Sequence, residues 1–153
     1  MDEERLTSNE WHKKQAVDNF NAVWNLLDNK DRSKEDDLLM IHSAHASRFH
    51  WNEIGTAVNF ARGEWQISRV YSTLKMSASA LYHAKRSLEF CEKNQIGDFD
   101  LAFAYEAMAR AYMVSGNIDN MNEYLDQAIE ASSKILKFED KDYFLSELKT
   151  ITI

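Results

Sequence analysis

The 153-residue chain contains no proline, only four glycines and a single cysteine. Because tight turns depend on glycine and proline, this shortage argues against an all-β fold built from many short strands. A single cysteine cannot form an internal disulfide, and a free thiol is typical of a reducing compartment. We therefore expect a cytoplasmic protein.

Long apolar runs are also missing. No apolar segment approaches the roughly 18 residues that are needed to cross a bilayer. Residues 1–5 are mostly charged and no apolar segment follows them, so neither a membrane span nor a signal peptide is expected. Apolar and aromatic residues nevertheless make up 44% and 12% of the chain, which is ample for a packed core. We expect one folded domain over residues 1–153.

Negative charge predominates, with 25 acidic against 18 basic residues and a net charge of −7. A general nucleic-acid binder needs a basic face to neutralise phosphates, so this class is not expected. The charge is uneven: residues 1–37 and 98–153 carry −4 and −6, whereas residues 38–97 carry +3. An anionic partner is therefore expected at the positive middle segment.

Apolar residues recur at helical spacing along the chain. In the first such segment the stripe consists of Ala16, Phe20, Val23, Trp24 and Leu27. Serine, aspartate, asparagine and glycine mark the ends of the segments. The pattern predicts seven helices, over residues 8–29, 34–52, 57–75, 77–94, 99–115, 118–137 and 140–151.

Short connections between helices of similar length favour antiparallel neighbours. We therefore expect an all-α fold with helix hairpins over 8–52, 57–94 and 99–137 and a capping helix over 140–151. The second helix has little polar face, which predicts that it is central and buried. Gly63, inside the third helix, either permits a close backbone contact or marks an interruption.

Residues 102–135 show a helix–turn–helix pattern of large and small side chains. Its members are Tyr105, Met108, Ala109, Tyr112, Gly116, Asn117, Leu125 and Ala128. This segment resembles a tetratricopeptide repeat, in which a small residue such as Ala109 lies where two helices cross. Residues 61–94 resemble the same repeat, through Ile67, Ser68, Tyr71, Ala80, Ser87 and Leu88.

The first hairpin, residues 8–52, matches no repeat register. The repeat-like segments also depart from the pattern: in residues 102–135, Met121 replaces a residue that is usually small, and both segments lack the proline that often ends such repeats. Residues 45–51 and 63–71 are similar to a group of bacterial proteins of unassigned function. The resemblance to tetratricopeptide repeats implies a superhelical stack of hairpins with a concave groove lined by the first helix of each pair.

In this register two sets of residues face the groove. They are Arg62, Trp65 and Arg69 in one repeat, and Phe103, Glu106, Arg110 and Met113 in the next. Arg69 and Arg110 hold equivalent positions and are expected side by side. Two guanidinium groups beside a tryptophan suit a carboxylate or a phosphate, which they bind bidentately. The alternative is that Arg69 pairs with Glu106 or another acid, and that Trp65 belongs to the core.

A second candidate site lies on the second predicted helix, which carries His42, His45 and Arg48. His42 and His45 are three residues apart and close enough to share a metal ion. His50 lies five residues beyond His45, on a different side of an ideal helix. No metal-binding motif completes the set, so a hydrogen-bonded network or part of a small-ligand pocket is the alternative.

No nucleophile elbow, phosphate loop or dinucleotide fingerprint is present, and Cys91 falls on an apolar face where a free thiol is inert. We therefore expect a non-enzymatic interaction module, without a cofactor, that holds a peptide or protein segment by an acidic group in the groove. The alternative is a small-molecule or metal-binding protein, or an enzyme, that uses His42 and His45. A third alternative is a homodimer formed through an exposed apolar face.

Overall fold

The computed structural model describes residues 5–152, and within this range the chain is helical without any strand. The helices are α1 (Ser8–Asp28), α2 (Lys34–Ile54), α3 (Ala57–Thr73), α4 (Ser77–Lys93), α5 (Asp98–Ser115), α6 (Ile118–Ser132) and α7 (Phe138–Leu148). The all-α prediction is confirmed. The largest boundary differences are that α6 ends at Ser132 and α7 ends at Leu148, five and three residues before the predicted ends. Residues 1–4, which contributed to the expectation of no signal peptide, lie outside the described residues.

Helix boundaries follow from short-range hydrogen bonds. At the start of α1, Thr7 Oγ1 accepts from the Glu10 N–H at 3.1 Å, and the Glu10 carboxylate accepts from the Thr7 N–H at 2.9 Å. Ser33 and Asp36 form the same reciprocal pair at the start of α2. Gly116 ends α5 with a φ of 79°, a left-handed conformation that glycine adopts without a Cβ penalty.

Each helix contacts the next one in the chain, and the contacts are most extensive between α1 and α2, between α3 and α4 and between α5 and α6. The odd-numbered helices also form a row, because α1 contacts α3, α3 contacts α5 and α5 contacts α7. Small side chains allow close crossings. The hydroxyls of Ser47, Ser68 and Ser87 donate to the carbonyls of Ala16, Ala80 and Ala61, respectively, at 2.7 to 2.8 Å.

The last helix is anchored by apolar side chains. Phe144 and Leu148 are buried in the same cluster as Phe103 of α5 and Met121 of α6. The rings of Phe103 and Phe144 meet edge to face, with centroids 4.9 Å apart. The helix α7 therefore lies against α5 and α6, at the end of the row of odd-numbered helices.

The second helix is not buried all round, so this sequence prediction is wrong. Leu38, Leu39 and Phe49 keep 57%, 54% and 59% of their surface exposed. The helix α2 contacts α1 and α3, and these neighbours leave one of its sides open. Its apolar residues therefore include an exposed set that periodicity alone cannot separate from the core. Among residues 5–152, no helix combines the length and the apolar character that crossing a membrane requires.

Gly63 lies where α3 approaches α2 closely. A Cβ atom at this position would lie 2.8 Å from Cδ of Arg48. Arg48 crosses the glycine and places its guanidinium over the ring of Phe60, 4.5 Å from the ring centroid. Because α3 continues unbroken through Gly63, this glycine permits a close contact and does not interrupt the helix.

Candidate ligand-binding pocket

A pocket of about 390 Å³ is lined by residues of α1, α3, α5 and α7, and by Ser87 of α4. Six of its lining residues are aromatic: Phe20, Trp24, Trp65, Phe99, Phe103 and Tyr143. The others are Ala61, Arg62, Ser87, Asp100 and Asp140. Apolar walls with a few polar groups are typical of ligand-binding pockets, and this volume lies within their usual range.

The aromatic rings form a continuous path across the row of helices. The ring centroids of Trp24 and Trp65 lie 5.5 Å apart, those of Trp65 and Phe103 5.3 Å, and those of Phe103 and Tyr143 5.9 Å. Phe20 extends the path along α1 from Trp24, four residues away on the same helix face. Adjacent helices therefore bring together rings that are far apart in sequence.

Trp65 is held in the wall by its indole nitrogen. Its Nε1 donates a hydrogen bond to Oε2 of Glu106 at 2.9 Å. Glu106 is 0% exposed, so the bond joins two groups inside the protein. A buried indole N–H needs such a partner, and the bond fixes the orientation of the ring that lines the pocket.

Glu106 also binds the two arginines that the repeat register aligns. Arg110 Nε donates to Glu106 Oε1 at 2.6 Å, and Arg69 Nη1 lies 3.5 Å from the same oxygen. Arg69 Nη2 donates to Oε2 of Glu147 at 2.8 Å. Arg110 Nη2 donates to the Glu147 carbonyl at 3.2 Å and to Thr150 Oγ1 at 2.6 Å. Two carboxylates thus balance two guanidinium groups, as burial of these charges requires.

The structure therefore brings Arg69 and Arg110 together, but with partners from the protein itself. Arg69 pairs with Glu106, which is the alternative that the sequence left open. The helix α7 supplies Glu147, whose carboxylate lies where an acidic ligand was expected. Neither arginine lines the pocket.

Arg62 is the guanidinium that does line the pocket. Its Nε and Nη2 donate to Oδ1 and Oδ2 of Asp100 at 2.7 and 3.1 Å, a bidentate arrangement. This hydrogen bonding raises the pKa of Arg62; burial opposes the rise, and the charges of Asp100 and Asp140 add to it. The charged lining residues are thus one guanidinium and two carboxylates.

The three histidines of α2 do not share one site. His42 is exposed, whereas His45 Nε2 lies 2.9 Å from the Tyr71 hydroxyl. Burial lowers the pKa of His45, and the charge of the neighbouring His83 lowers it further. His50 lies against His12 of α1, with 2.9 Å between their Nδ1 atoms. Within residues 5–152, no cluster of three or more potential ligands among histidine, cysteine, aspartate and glutamate is placed to hold a metal ion.

The sequence did not predict a polar network that surrounds Glu64. His83 Nδ1 lies 2.6 Å from Glu64 Oε2, and Arg48 Nε donates to Glu64 Oε1 at 3.2 Å. Burial acts to raise the pKa of Glu64, but the hydrogen bond and charge of His83, together with Arg48, lower it overall. The rings of His83 and Tyr71 stack with centroids 5.7 Å apart. These residues belong to α2, α3 and α4, so no spacing within one helix indicates the network.

Cys91 is buried in a cluster with Ala61 and Ala104. Burial raises the pKa of its thiol to about 12, with smaller contributions from the charges of Asp100 and Glu92. The thiol therefore stays protonated near neutral pH, which makes it a poor nucleophile.

The sequence indicated part of the pocket. Of the groove-facing positions, the structure places Arg62, Trp65 and Phe103 in the lining. Phe20 and Trp24 were recognised only as part of an apolar stripe, because the first hairpin matches no repeat register. Asp140 was interpreted as the cap of α7, whereas the helix begins two residues earlier, at Phe138. Comparison with known proteins found no matching family model, no similar curated protein and no similar solved structure.

Proposed function

We propose that this chain is a non-enzymatic interaction module that holds a peptide or protein segment in the groove formed by α1, α3, α5 and α7. The observation that carries this proposal is the aromatic pocket, with six rings around about 390 Å³. Aromatic pockets of this kind accept an anchoring side chain and exclude water from it, which provides much of the affinity of an interface. The partner would insert one side chain into the pocket.

The helix packing supports the location of this groove. In stacks of tetratricopeptide-like hairpins, the first helix of each pair lines the concave surface, where partners bind. Here the pairs α1–α2, α3–α4 and α5–α6 would be the hairpins, and α7 would follow as the capping helix. The pocket opens among the odd-numbered helices, which is the side that such a stack presents to a partner.

The acidic group expected from the sequence does not form part of this proposal. Arg69 and Arg110 already bind Glu106 and Glu147. A ligand carboxylate would have to displace Glu147, and the exchange of one carboxylate for another gains little free energy. Arg62 is likewise engaged with both oxygens of Asp100.

The alternative function, a small-molecule or metal-binding protein or an enzyme based on His42 and His45, has weaker support. His45 is held by Tyr71, and His42 faces solvent. The pair formed by Glu64 and His83 resembles a base with its orienting carboxylate, but neither residue lines the pocket. We therefore assign the proposed function to the aromatic pocket.

The test is a selection from a random peptide library displayed on phage, with the purified protein as bait. Peptides that are enriched should bind the wild-type protein and should lose most of their affinity for Phe20→Ala and Tyr143→Ala. Tyr82→Ala is the matched control, because Tyr82 is an exposed aromatic residue outside the pocket. Circular dichroism would establish that each variant is folded. The proposal fails if no peptide is enriched, or if the selected peptides bind the two pocket variants as tightly as the control.

A further inference from the structure

The charges at the pocket do not cancel. Arg62 neutralises Asp100 through the bidentate pair described above. Asp140, half-buried in the first turn of α7, forms no hydrogen bond or ion pair through its side chain with any residue between 5 and 152. Its charge acts on Arg62 from nearby without direct contact. The pocket thus keeps one uncompensated carboxylate beside its aromatic walls.

The positive charge of residues 38–97 is mostly used within the protein. Arg48 pairs with Glu64, and Arg86 pairs with Glu89. Arg62 and Arg69 pair with acids of α5 and α7, which belong to the acidic segment 98–153. The sequence expectation of an anionic partner at the middle segment therefore has no support from these arginines.

Aromatic faces and a carboxylate together suit a cation. The π-system of tryptophan attracts an ammonium group more strongly than other rings do, and the attraction increases when water is excluded. Trp24 and Trp65 lie side by side in the pocket, and Phe103 and Tyr143 continue the wall towards α7, which carries Asp140. An alkylammonium group would place its methylene or methyl groups against the rings and its charge near the carboxylate.

We propose that the pocket receives the alkylammonium side chain of a lysine or a methylated lysine in a partner segment, with Asp140 as its counter-ion. This inference rests on the proposed function and specifies its partner as basic. It replaces the acidic partner that the sequence suggested. The aromatic rings supply affinity for the side chain, and Asp140 supplies selectivity for positive charge.

The first experiment compares choline with 3,3-dimethylbutan-1-ol, an uncharged molecule of nearly the same shape. Binding is followed by the indole N–H signals of the protein in ¹⁵N-correlated NMR spectra. Choline should shift the signals of Trp24 and Trp65, and it should bind about tenfold more tightly than the alcohol, the factor expected for a partly desolvated cation–π contact.

The second experiment removes the counter-ion. Asp140→Asn should weaken choline binding and leave the affinity for the alcohol unchanged. Asp142→Asn is the matched control, because this neighbouring aspartate is exposed on the same helix and lies outside the pocket lining. The control should bind both molecules as the wild-type protein does.

The third experiment returns to the selected peptides. They should contain a lysine whose replacement by norleucine, which keeps the alkyl chain and removes the charge, weakens binding to the wild-type protein. Binding to Asp140→Asn should respond less to this replacement, because the counter-ion is already gone.

Several results would overturn the inference. Equal affinity for choline and the alcohol, an unchanged affinity for choline in Asp140→Asn, or selected peptides in which aspartate or glutamate is the essential residue would each refute a cationic ligand. If the selected peptides still require Phe20 and Tyr143 in any of these cases, the interaction module stands and only the charge of its ligand is wrong. If no probe and no peptide binds, both proposals fail.

Discussion

The indole nitrogen of Trp65 on α3 donates to the buried carboxylate of Glu106 on α5, at 2.9 Å. The same carboxylate binds Arg69 and Arg110, and these two arginines hold Glu147 of α7. One acid therefore orients a wall of the pocket and joins three of the helices that line it. The position of the aromatic wall depends on a network of buried charges.

We expect Glu106→Gln to lower the free energy of unfolding strongly. The substitution removes the carboxylate that pairs with Arg110, whereas Arg69 keeps the carboxylate of Glu147, so one buried positive charge is uncompensated. The loss of one partner from a buried ion pair costs about 3–5 kcal/mol. Urea unfolding followed by circular dichroism measures this cost.

Glu89→Gln is the control for this prediction, because Glu89 pairs with Arg86 at a largely exposed position. Its loss should cost less than about 1 kcal/mol. A similarly small cost for Glu106→Gln would mean that the network does not hold these helices together.

We expect Gly63→Ala to destabilise the protein, although alanine is normally the better helix former by about 1 kcal/mol. The new Cβ would lie 2.8 Å from Arg48 Cδ, and Arg48 cannot easily move because it bonds Glu64 and covers Phe60. Overpacking of this kind costs about 1–3 kcal/mol, which offsets or exceeds the gain in helix propensity.

The contact with Arg48 is isolated by a double-mutant cycle. In an Arg48→Ala background the clash is absent, so Gly63→Ala should become neutral or stabilising. Thermal unfolding of the four proteins gives the coupling free energy. Independent effects of the two substitutions would show that the glycine does not serve this contact.

We expect the free energy of unfolding to fall in mildly acidic solution. Burial lowers the pKa of His45 and His50 below 6.5, and the nearby His83 and His12 lower them further. The unfolded chain then binds more protons than the folded chain as the pH falls below about 6.5. The stability that neutral histidines provide is complete above that pH and is lost as the pH falls through the folded-state pKa values.

Denaturant unfolding at pH values between 8 and 5 would reveal this decline in the free energy of unfolding. Measurements about every half pH unit would cover the titration range. His45→Gln and His50→Asn should each make the decline shallower, whatever their effect on stability at pH 8. If both variants lose stability with the same slope as the wild-type protein, proton binding at these two histidines is not the cause.

Much of the helical architecture could be predicted from the sequence because its signals are local. The capping pairs of Thr7 and Ser33 act over three residues, and Gly116 ends its helix through its own backbone conformation. The predicted end of α6 was too late, because residues 133–137 keep helical composition while the backbone already turns at Ser133. The prediction that the second helix is buried was wrong because an apolar side chain in the sequence can lie either in the core or at the surface, and its identity does not tell which.

The pocket and its charges were decided by the tertiary structure. The sequence shows that Arg69 is basic, but its partner Glu147 lies 78 residues away and reaches it only because α7 packs against α5. Phe20 of α1 and Tyr143 of α7 likewise line one pocket only because the helices that carry them pack into one row. Periodicity and capping report interactions over a few residues, and they determined the helices. Which carboxylates neutralise the arginines at the pocket, and which carboxylate is left over at Asp140, depends on how α3, α5 and α7 pack.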